Sequence, residues 1–252
     1  MIKEKIIEEK TRKMLDQIEI RSGFIPHICE RKDEVGLYIH IPFCKIPCPY
    51  CGFIRFKYDT QKMEGYVESL KREIKLYKDL LGELKINSLY IGGGTPTINP
   101  NALCSIIEYV NGNFNIKEIG VEANPDDITP KVLEMLSSVG VRKISMGVES
   151  FNDSILKAIG RRSHTSERAI NVIKLILDCG YFDTFSIDLM FSLPFQRVED
   201  LIFDLGTATS LGIPQIATYP AVLFSFNQWY KDVKRGVLKL PGRKTDRIMY
   251  DI

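Results

Sequence analysis

The sequence predicts an α/β fold built as an incomplete (β/α)6 barrel. Short β-rich segments alternate with longer amphipathic helical segments, a pattern typical of consecutive βα units and a parallel sheet. Roughly six such units are visible, too few for a closed barrel of eight strands. The 252 residues are enough to bury one core of this size.

Residues 1–34 precede this pattern and predict an N-terminal helical extension, because apolar residues recur on one side of a highly charged segment. The barrel domain is predicted to cover residues 35–252. Its strands are expected at 35–41, 87–92, 118–123, 142–148, 184–190 and 215–221. Helices are expected between them at 66–82, 101–112, 129–140, 166–180 and 198–212.

Capping residues and glycines mark the ends of several predicted helices. Gly82, Gly112 and Gly140 follow apolar helical segments, where glycine commonly ends a helix. Thr129 with Pro130 predicts an N-cap followed by a first-turn proline. The segment 244–252 predicts the opening of a further helix with no terminator, so we expect a C-terminal region to be missing or never present.

The composition argues against nucleic acid or a membrane as the partner. The 34 basic and 32 acidic residues are interspersed rather than grouped, which predicts an evenly solvated surface. No apolar run approaches the ~20 residues that span a bilayer, and the charged N-terminal segment lacks the apolar core of a signal peptide. The sequence therefore predicts a cytoplasmic protein with reduced thiols.

Three of the six cysteines lie within eight residues of one another. Cys44, Cys48 and Cys51 follow the first strand with the spacing C-x3-C-x2-C, and such a group in a reducing compartment favours a soft metal centre. A cubane iron–sulfur cluster takes four ligands, so three thiolates would leave one iron open to a small molecule. The alternative is a zinc site with His40 or His27 as fourth ligand, although zinc ligands usually come as two separated pairs.

Polar residues end the other predicted strands, and in a parallel barrel these ends meet at one mouth. The glycine turn GGGTPT precedes a helix, so its backbone can approach an anionic ligand closely, although such turns are also ordinary βα connections. Glu122, Glu149, Asp188 and Tyr219 end later strands. The carboxylates suit an amino group or ribose hydroxyls, and each could instead cap a helix or join a salt bridge.

Together these motifs resemble the radical S-adenosylmethionine (SAM) superfamily. The segment YIHIPFCKIPCPYCGF carries the cysteine spacing with an aromatic residue before the last cysteine. The segments GGGTPT, EANPDD, SMGVESFND and SIDLMFSLP further resemble the subfamily of oxygen-independent coproporphyrinogen III oxidases, the HemN/HemW type. The resemblance runs from about residue 35 to residue 219 and beyond.

The resemblance implies a radical SAM barrel of TIM type with a [4Fe–4S] cluster on Cys44, Cys48 and Cys51. The unique iron would be chelated by the amino and carboxylate groups of SAM. One electron from the cluster would cleave SAM to methionine and a 5′-deoxyadenosyl radical, which abstracts hydrogen from the substrate. No catalytic protein side chain is assigned by the resemblance.

Further cofactor contacts follow from motif position. Tyr50 would pack beside the adenine, Gly52 would leave room for it, and Tyr38 matches a tyrosine that contacts the cofactor. Gly93, Gly94 and Thr95 match a segment that binds the methionyl amino group and a neighbouring cofactor, so one SAM molecule or two is expected.

The polar contacts to SAM are expected from residues at the ends of later strands. Glu122, Glu149 and Asp188 would contact the cofactor. Arg161, in the segment AIGRR, would lie near the SAM carboxylate; the alternative is an ordinary cation at a helix end.

Three departures from the oxidase pattern leave the substrate open. Phe53 stands in place of a further cysteine, Glu149 in place of a glutamine, and Ser192 in place of a glycine. The predicted function is a radical SAM enzyme, oxidoreductase-like, acting on a tetrapyrrole or another conjugated small molecule with a reductant such as flavodoxin or ferredoxin. The alternatives are a haem chaperone of the same family and a radical SAM methyltransferase or cyclopropanase.

Overall fold

The computed structural model describes residues 35–81 and 85–252. The strands in these ranges are β1 (Val35–Ile41), β2 (Phe43–Cys44), β3 (Phe56–Lys57), β4 (Ile86–Gly93), β5 (Glu118–Ala123), β6 (Lys143–Glu149), β7 (Thr184–Phe191) and β8 (Gln215–Pro220). Six of them form one sheet in the order β1-β4-β5-β6-β7-β8, and β2 pairs with β3. Every pairing is parallel.

The helices connect successive strands of the sheet or follow its last strand. They are α1 (Thr60–Leu81), α2 (Pro100–Asn111), α3 (Pro130–Ser138), α4 (Asp153–Ala158), α5 (Ser166–Cys179), α6 (Val198–Ser210), α7 (Gln228–Lys234) and α8 (Arg243–Asp251). Short 3-10 turns at Pro96–Ile98 and Pro125–Asp127 precede α2 and α3. No helix in the described ranges is both long and apolar enough to cross a bilayer.

The structure confirms the predicted α/β class and the incomplete six-stranded barrel. Each of the six strands begins and ends within one residue of its predicted bounds. The first helix begins at Thr60, six residues earlier than predicted, while its predicted end at Gly82 lies outside the described residues, as do the predicted extension at 1–34 and His27. Helices α4 and α7 were not predicted, and α8 occupies the segment where the opening of a helix was expected.

Helix α1 shows how the apolar pattern builds the core. Met63, Val67, Leu70 and Ile74 recur at intervals of three or four residues and are all buried. They belong to one cluster with the outward-facing residues of the strands, such as Ile91. Burial of this stripe against the sheet stabilises the helix, because isolated helices are only marginally stable in water.

Local capping residues mark the start of α3 and the end of α5. The Thr129 hydroxyl accepts a hydrogen bond from the Val132 N–H, 3.2 Å away, and Pro130 occupies the first turn of α3, as predicted. Gly180 ends α5 in the left-handed conformation, with φ of 66°. Residues next to each other in the chain therefore determine where α3 begins and where α5 ends.

The two faces of the sheet differ in polarity. Outward-facing residues of β5 and β6, such as Val121 and Ile144, are buried under the helices. The alternate residues Glu122, Ser145 and Gly147 line a cavity on the inner face. Buried parallel strands are usually apolar on both faces, so a polar inner face indicates a site rather than a second core.

Candidate functional site

A cavity of about 380 Å³ opens at the carboxyl ends of the barrel strands. This volume lies within the range of small-molecule sites. Twelve of the thirteen predicted site residues line it. They are Cys44, Cys48, Tyr50, Cys51, Gly52, Gly93, Gly94, Thr95, Glu122, Glu149, Arg161 and Asp188.

The three cysteines lie on one closed loop, residues 44–57, called the cysteine loop below. Pairing of β2 with β3 closes it: the Phe56 N–H donates to the Pro42 carbonyl at 2.7 Å, and the Tyr58 N–H donates to the Cys44 carbonyl at 2.9 Å. Cys44 and Cys48 are buried and Cys51 is partly exposed. The short strands therefore hold all three thiols at the cavity wall.

Burial disfavours the thiolate form of two cysteines of the loop. Burial raises the pKa of Cys44 and of Cys51, and the neighbouring Cys48 thiol adds to the increase in both. A metal centre binds the thiolate, so its binding would release these protons.

Among the described residues, the cysteine loop presents no preformed site for a single metal ion. Within residues 35–81 and 85–252, no three histidine, cysteine or acidic side chains converge on a point that one metal ion could occupy. A zinc site needs such convergence, whereas a cubane offers a separate iron to each thiolate. His40 is also engaged: its Nε2–H donates to the Ile54 carbonyl at 2.8 Å and its Nδ1 accepts from the Tyr38 hydroxyl at 3.1 Å.

The glycine turn after β4 packs directly against the backbone that leads into the cysteine loop. The Gly94 N–H donates to the Ile41 carbonyl at 2.8 Å, and a Cβ atom on Gly94 would lie 2.7 Å from the Phe43 carbonyl oxygen. Gly93 has φ of 115°, and its N–H donates to Glu122 Oε2 at 2.9 Å. A Cβ atom on Gly93 would lie 2.6 Å from the His40 ring, so a side chain at either glycine would displace that ring or the backbone that leads into the cysteine loop.

Arg161 lies on the inner wall of the cavity. Its Nη2 donates to the Gly147 carbonyl at 2.7 Å, its Nη1 lies 3.4 Å from Cys48 Sγ, and the same nitrogen lies 3.7 Å from Glu149 Oε1. The Arg161 Nε is buried and has no hydrogen-bond partner among the described residues. A buried donor without a partner is costly, so this side of the guanidinium is suited to an incoming acceptor.

Glu149 ends β6 in a conformation that non-glycine residues rarely adopt, with φ of 69°. It is 5% exposed and accepts a hydrogen bond from the Tyr219 hydroxyl at 3.0 Å. The strained backbone turns the carboxylate towards Arg161 and Tyr219, and such strain is common at functional sites.

Glu122 and Asp188 are the other carboxylates of the cavity. Burial raises the pKa of Glu122, and it raises the pKa of Asp188 to about 6, with Glu149 and Glu122 adding to the increase at Asp188. Their acidic character suits a ligand that carries a positive charge, because such a ligand would stabilise the ionised carboxylates.

Three predicted residues have neighbours that the sequence did not indicate. Tyr38 is absent from the described cavity lining; it is 53% exposed and stacks on Tyr90 further down the barrel. The space beside Gly52 holds the ring of Phe224, and Tyr50 packs against Trp229 with ring centroids 5.1 Å apart.

Several lining residues were missed by the sequence interpretation. Arg55 and the apolar residues Ile46, Phe53, Val222 and Phe224 also line the cavity. Arg55 could have been found from the sequence, because a residue only four positions after Cys51 cannot lie far from the thiols. The apolar residues of the loop after β8 carried no motif.

The fold and the site together define a class of protein. A partial parallel barrel with three thiols and an acidic cavity at its carboxyl mouth is suited to a soft metal centre beside a small-molecule site. Residues 38–205 match the family profile described as the radical SAM superfamily. The chain belongs to this superfamily and, within it, to the HemN/HemW-type subfamily.

The similar proteins are haem-related in name. The chain is 32% identical to the heme chaperone HemW of Bacillus subtilis (strain 168) over 220 residues, covering 85% of this chain and 58% of the relative. It is 32% identical over 229 residues to the oxygen-independent coproporphyrinogen-III oxidase-like protein HemZ of the same organism, covering 87% and 45%. The chain thus spans about half the length of the curated relatives it matches.

A solved structure supports the same relationship. Coproporphyrinogen III oxidase (HemN) from Escherichia coli superposes with a TM-score of 0.76 and 26% sequence identity, covering 86% of this chain and 50% of that chain. Membership of the superfamily implies a [4Fe–4S] cluster and SAM as cofactors.

Proposed function

We propose that this chain is the core of a radical SAM enzyme that acts on a tetrapyrrole or another conjugated small molecule. The observation that carries the proposal is the convergence of Cys44, Cys48 and Cys51 with three carboxylates and Arg161 on one cavity. When bound, the [4Fe–4S] cluster and SAM supply reductive cleavage of the sulfonium and hydrogen abstraction from the substrate.

The chain's own residues would bind and orient these groups. The three thiols would hold the cluster. The unpartnered Nε–H of Arg161 would donate a hydrogen bond to the carboxylate of SAM. Glu122, with Glu149 and Asp188, would attract the ammonium group and ribose hydroxyls of SAM. Gly93, Gly94 and Thr95 would let the ligand approach the backbone closely. Tyr50 and Gly52 would form the wall beside the adenine.

An apolar rim favours a flat, apolar substrate. The rim comprises four cavity-lining residues, Ile46, Phe53, Val222 and Phe224. Between 37% and 65% of each of these side chains is exposed, and the adjoining Ile54 is 71% exposed. The Phe224 ring also stacks on that of Phe226 at 5.4 Å. Aromatic rings around a polar cavity are suited to stack on a conjugated ligand while its reacting carbon faces inward.

The first test is the loss of one cluster ligand. We expect the Cys48→Ala variant, after anaerobic reconstitution, to lose the visible absorbance of the cluster and most of its iron, while its far-UV circular dichroism stays that of the wild type. Cys104→Ala is the matched control, because Cys104 is a buried thiol on α2 away from the cavity. Retention of cluster absorbance by Cys48→Ala would refute the ligand assignment.

The haem chaperone is the second candidate, and the relatives named heme chaperone HemW favour it. The two functions differ in their products. An enzyme forms 5′-deoxyadenosine from SAM under reducing conditions, and more of it when its substrate is added. A chaperone binds added haem in stoichiometric amount with a defined Soret band. Haem binding without 5′-deoxyadenosine formation would favour the chaperone, and the reverse result would exclude it.

A further inference from the structure

The Arg55 side chain links the backbone of the cysteine loop through several hydrogen bonds, an arrangement called bracing below. Its Nη1 donates to the Cys51 carbonyl at 2.8 Å and to the Phe53 carbonyl at 3.1 Å, and its Nη2 donates to the Cys48 carbonyl. One planar guanidinium thus joins three backbone carbonyls of the segment that carries two of the three thiols. Arginine suits this role because its donors form a rigid fork.

No acid of the described residues neutralises the positive charge of Arg55. Among the described residues, no carboxylate lies within ion-pair distance of Arg55. Arg161, the other arginine of the cavity, differs because Glu149 lies 3.7 Å away. The Arg55 Nε is buried and also lacks a hydrogen-bond partner in the described part of the chain.

Arg55 carries its charge close to the thiols of the loop, because its guanidinium donates to the carbonyls of Cys48 and Cys51 themselves. The side chain also lines the cavity with these thiols. An uncompensated cation at this place is suited to stabilise negative charge that arrives with a bound group.

We propose that Arg55 is a positioning residue that braces the cysteine loop, and that its positive charge favours the reduced state of the cluster bound there. This inference rests on the proposed function, since it requires a cluster on Cys44, Cys48 and Cys51. A thiolate-bound cluster gains one negative charge on reduction, so a nearby cation stabilises the reduced form more than the oxidised form.

The test compares three variants of the full chain under anaerobic conditions. Arg55→Gln removes the charge and keeps an amide donor, while Arg55→Lys keeps the charge and removes the fork. Lys45→Gln is the matched control: it removes one cation from the same loop, but Lys45 is exposed and its ion pair with Asp126 is solvated. The measurements are iron per chain, circular dichroism of the apoprotein, and the midpoint potential from a redox titration followed by electron paramagnetic resonance.

We expect Arg55→Gln to hold the cluster with a reduction equilibrium about tenfold less favourable, a shift of about 59 mV towards more negative potential for one electron. Arg55→Lys should restore the potential while losing iron faster than the wild type on dilution. Lys45→Gln should match the wild type in both measurements. If Arg55→Gln fails to load iron while Arg55→Lys loads it at the wild-type potential, the proposal is also supported.

An unchanged potential and unchanged iron retention in Arg55→Gln would overturn the proposal. So would loss of the native circular dichroism in both Arg55 apoproteins, because Arg55 would then serve the fold rather than the cluster. Neither result affects the proposed function, which fails separately if the wild-type chain holds no iron or if Cys48→Ala keeps its cluster.

Discussion

Glu149 and Asp204 are buried carboxylates with different surroundings. Glu149 faces Arg161 and the Tyr219 hydroxyl in the cavity. Asp204 is fully buried on α6 and accepts hydrogen bonds from the Ser150 hydroxyl at 2.8 Å and the Phe151 N–H at 2.6 Å. Ser150 and Phe151 directly follow Glu149. The Asp204 hydrogen bonds therefore stabilise the chain immediately after the strained end of β6.

The buried state of Asp204 predicts a pH dependence of stability. Burial raises the pKa of Asp204 to about 6, and the two hydrogen bonds only partly offset that increase. The folded chain therefore binds this proton more tightly than the unfolded chain, so the stabilisation is present at low pH and is lost as pH rises through about 6. Asn at this position does not titrate. Its Oδ1 can still accept from the Phe151 N–H, and its Nδ2 can donate to the Ser150 hydroxyl oxygen.

We expect the free energy of unfolding of Asp204→Asn to rise relative to that of the wild type by about 2 kcal/mol between pH 4 and pH 7. Urea denaturation at several pH values measures this difference. Asp178→Asn, at an exposed position on α5, controls for the loss of one negative charge. A difference between Asp204→Asn and the wild type that does not change with pH would contradict the explanation.

At the scale of elements, the end of β7 anchors the C-terminal helix of the described chain. Ser192 follows β7 with φ of 57°, and its hydroxyl donates to Asp246 on α8. Met249 of the same helix joins Phe191 and Leu201 in a small apolar cluster. A serine at this position therefore accepts a strained backbone, which glycine would avoid, in exchange for a contact between two elements.

Substitutions at Ser192 separate the strain from the hydrogen bond. Ser192→Ala keeps the strained backbone and loses the bond, at a cost of about 1–3 kcal/mol. Ser192→Gly loses the same bond but relieves the strain, so it should be less destabilising by about 1 kcal/mol. Denaturation gives the totals, and hydrogen exchange should show faster exchange in α8 for both. A glycine variant less stable than the alanine variant would rule out the strain.

At the scale of the whole molecule, the two faces of the sheet have different roles: the outer face stabilises the fold and the inner face lines the candidate site. The outer face packs under helices, with residues such as Ile91 fully buried. The inner face presents carboxylates, small residues and tyrosines to the cavity. Stability should therefore be sensitive to changes on the outer face, and ligand binding to changes on the inner face.

A pair of substitutions tests this division. Ile91→Ala should lower the free energy of unfolding by about 2–5 kcal/mol, because it leaves a cavity in the core. Glu122→Gln should leave stability at pH 7 equal or higher, since it removes a buried charge, while lowering the affinity for SAM at least tenfold, about 1.4 kcal/mol. Denaturation and calorimetry on reconstituted protein measure both. An unchanged SAM affinity in Glu122→Gln would refute its role.

Local chemistry allowed most of the framework to be predicted. Strands and helices follow from the spacing of apolar residues and from caps such as Thr129, which depend only on neighbours along the chain. Helix α4 was missed because only six residues form it, too few to show a periodic pattern. The cysteine spacing indicated the loop, and the motifs indicated which strand ends would meet.

The sequence by itself therefore determined the βα order, the strand bounds and the identity of the thiols and carboxylates at the mouth of the barrel. Only the tertiary structure decided how they are partnered. The Tyr219–Glu149 bond joins residues 70 positions apart, the Phe224 ring fills the space beside Gly52, Arg55 braces the cysteine loop, and Tyr38 lies outside the cavity lining among the described residues. Periodicity is a local property of the chain, whereas these contacts depend on packing between distant segments.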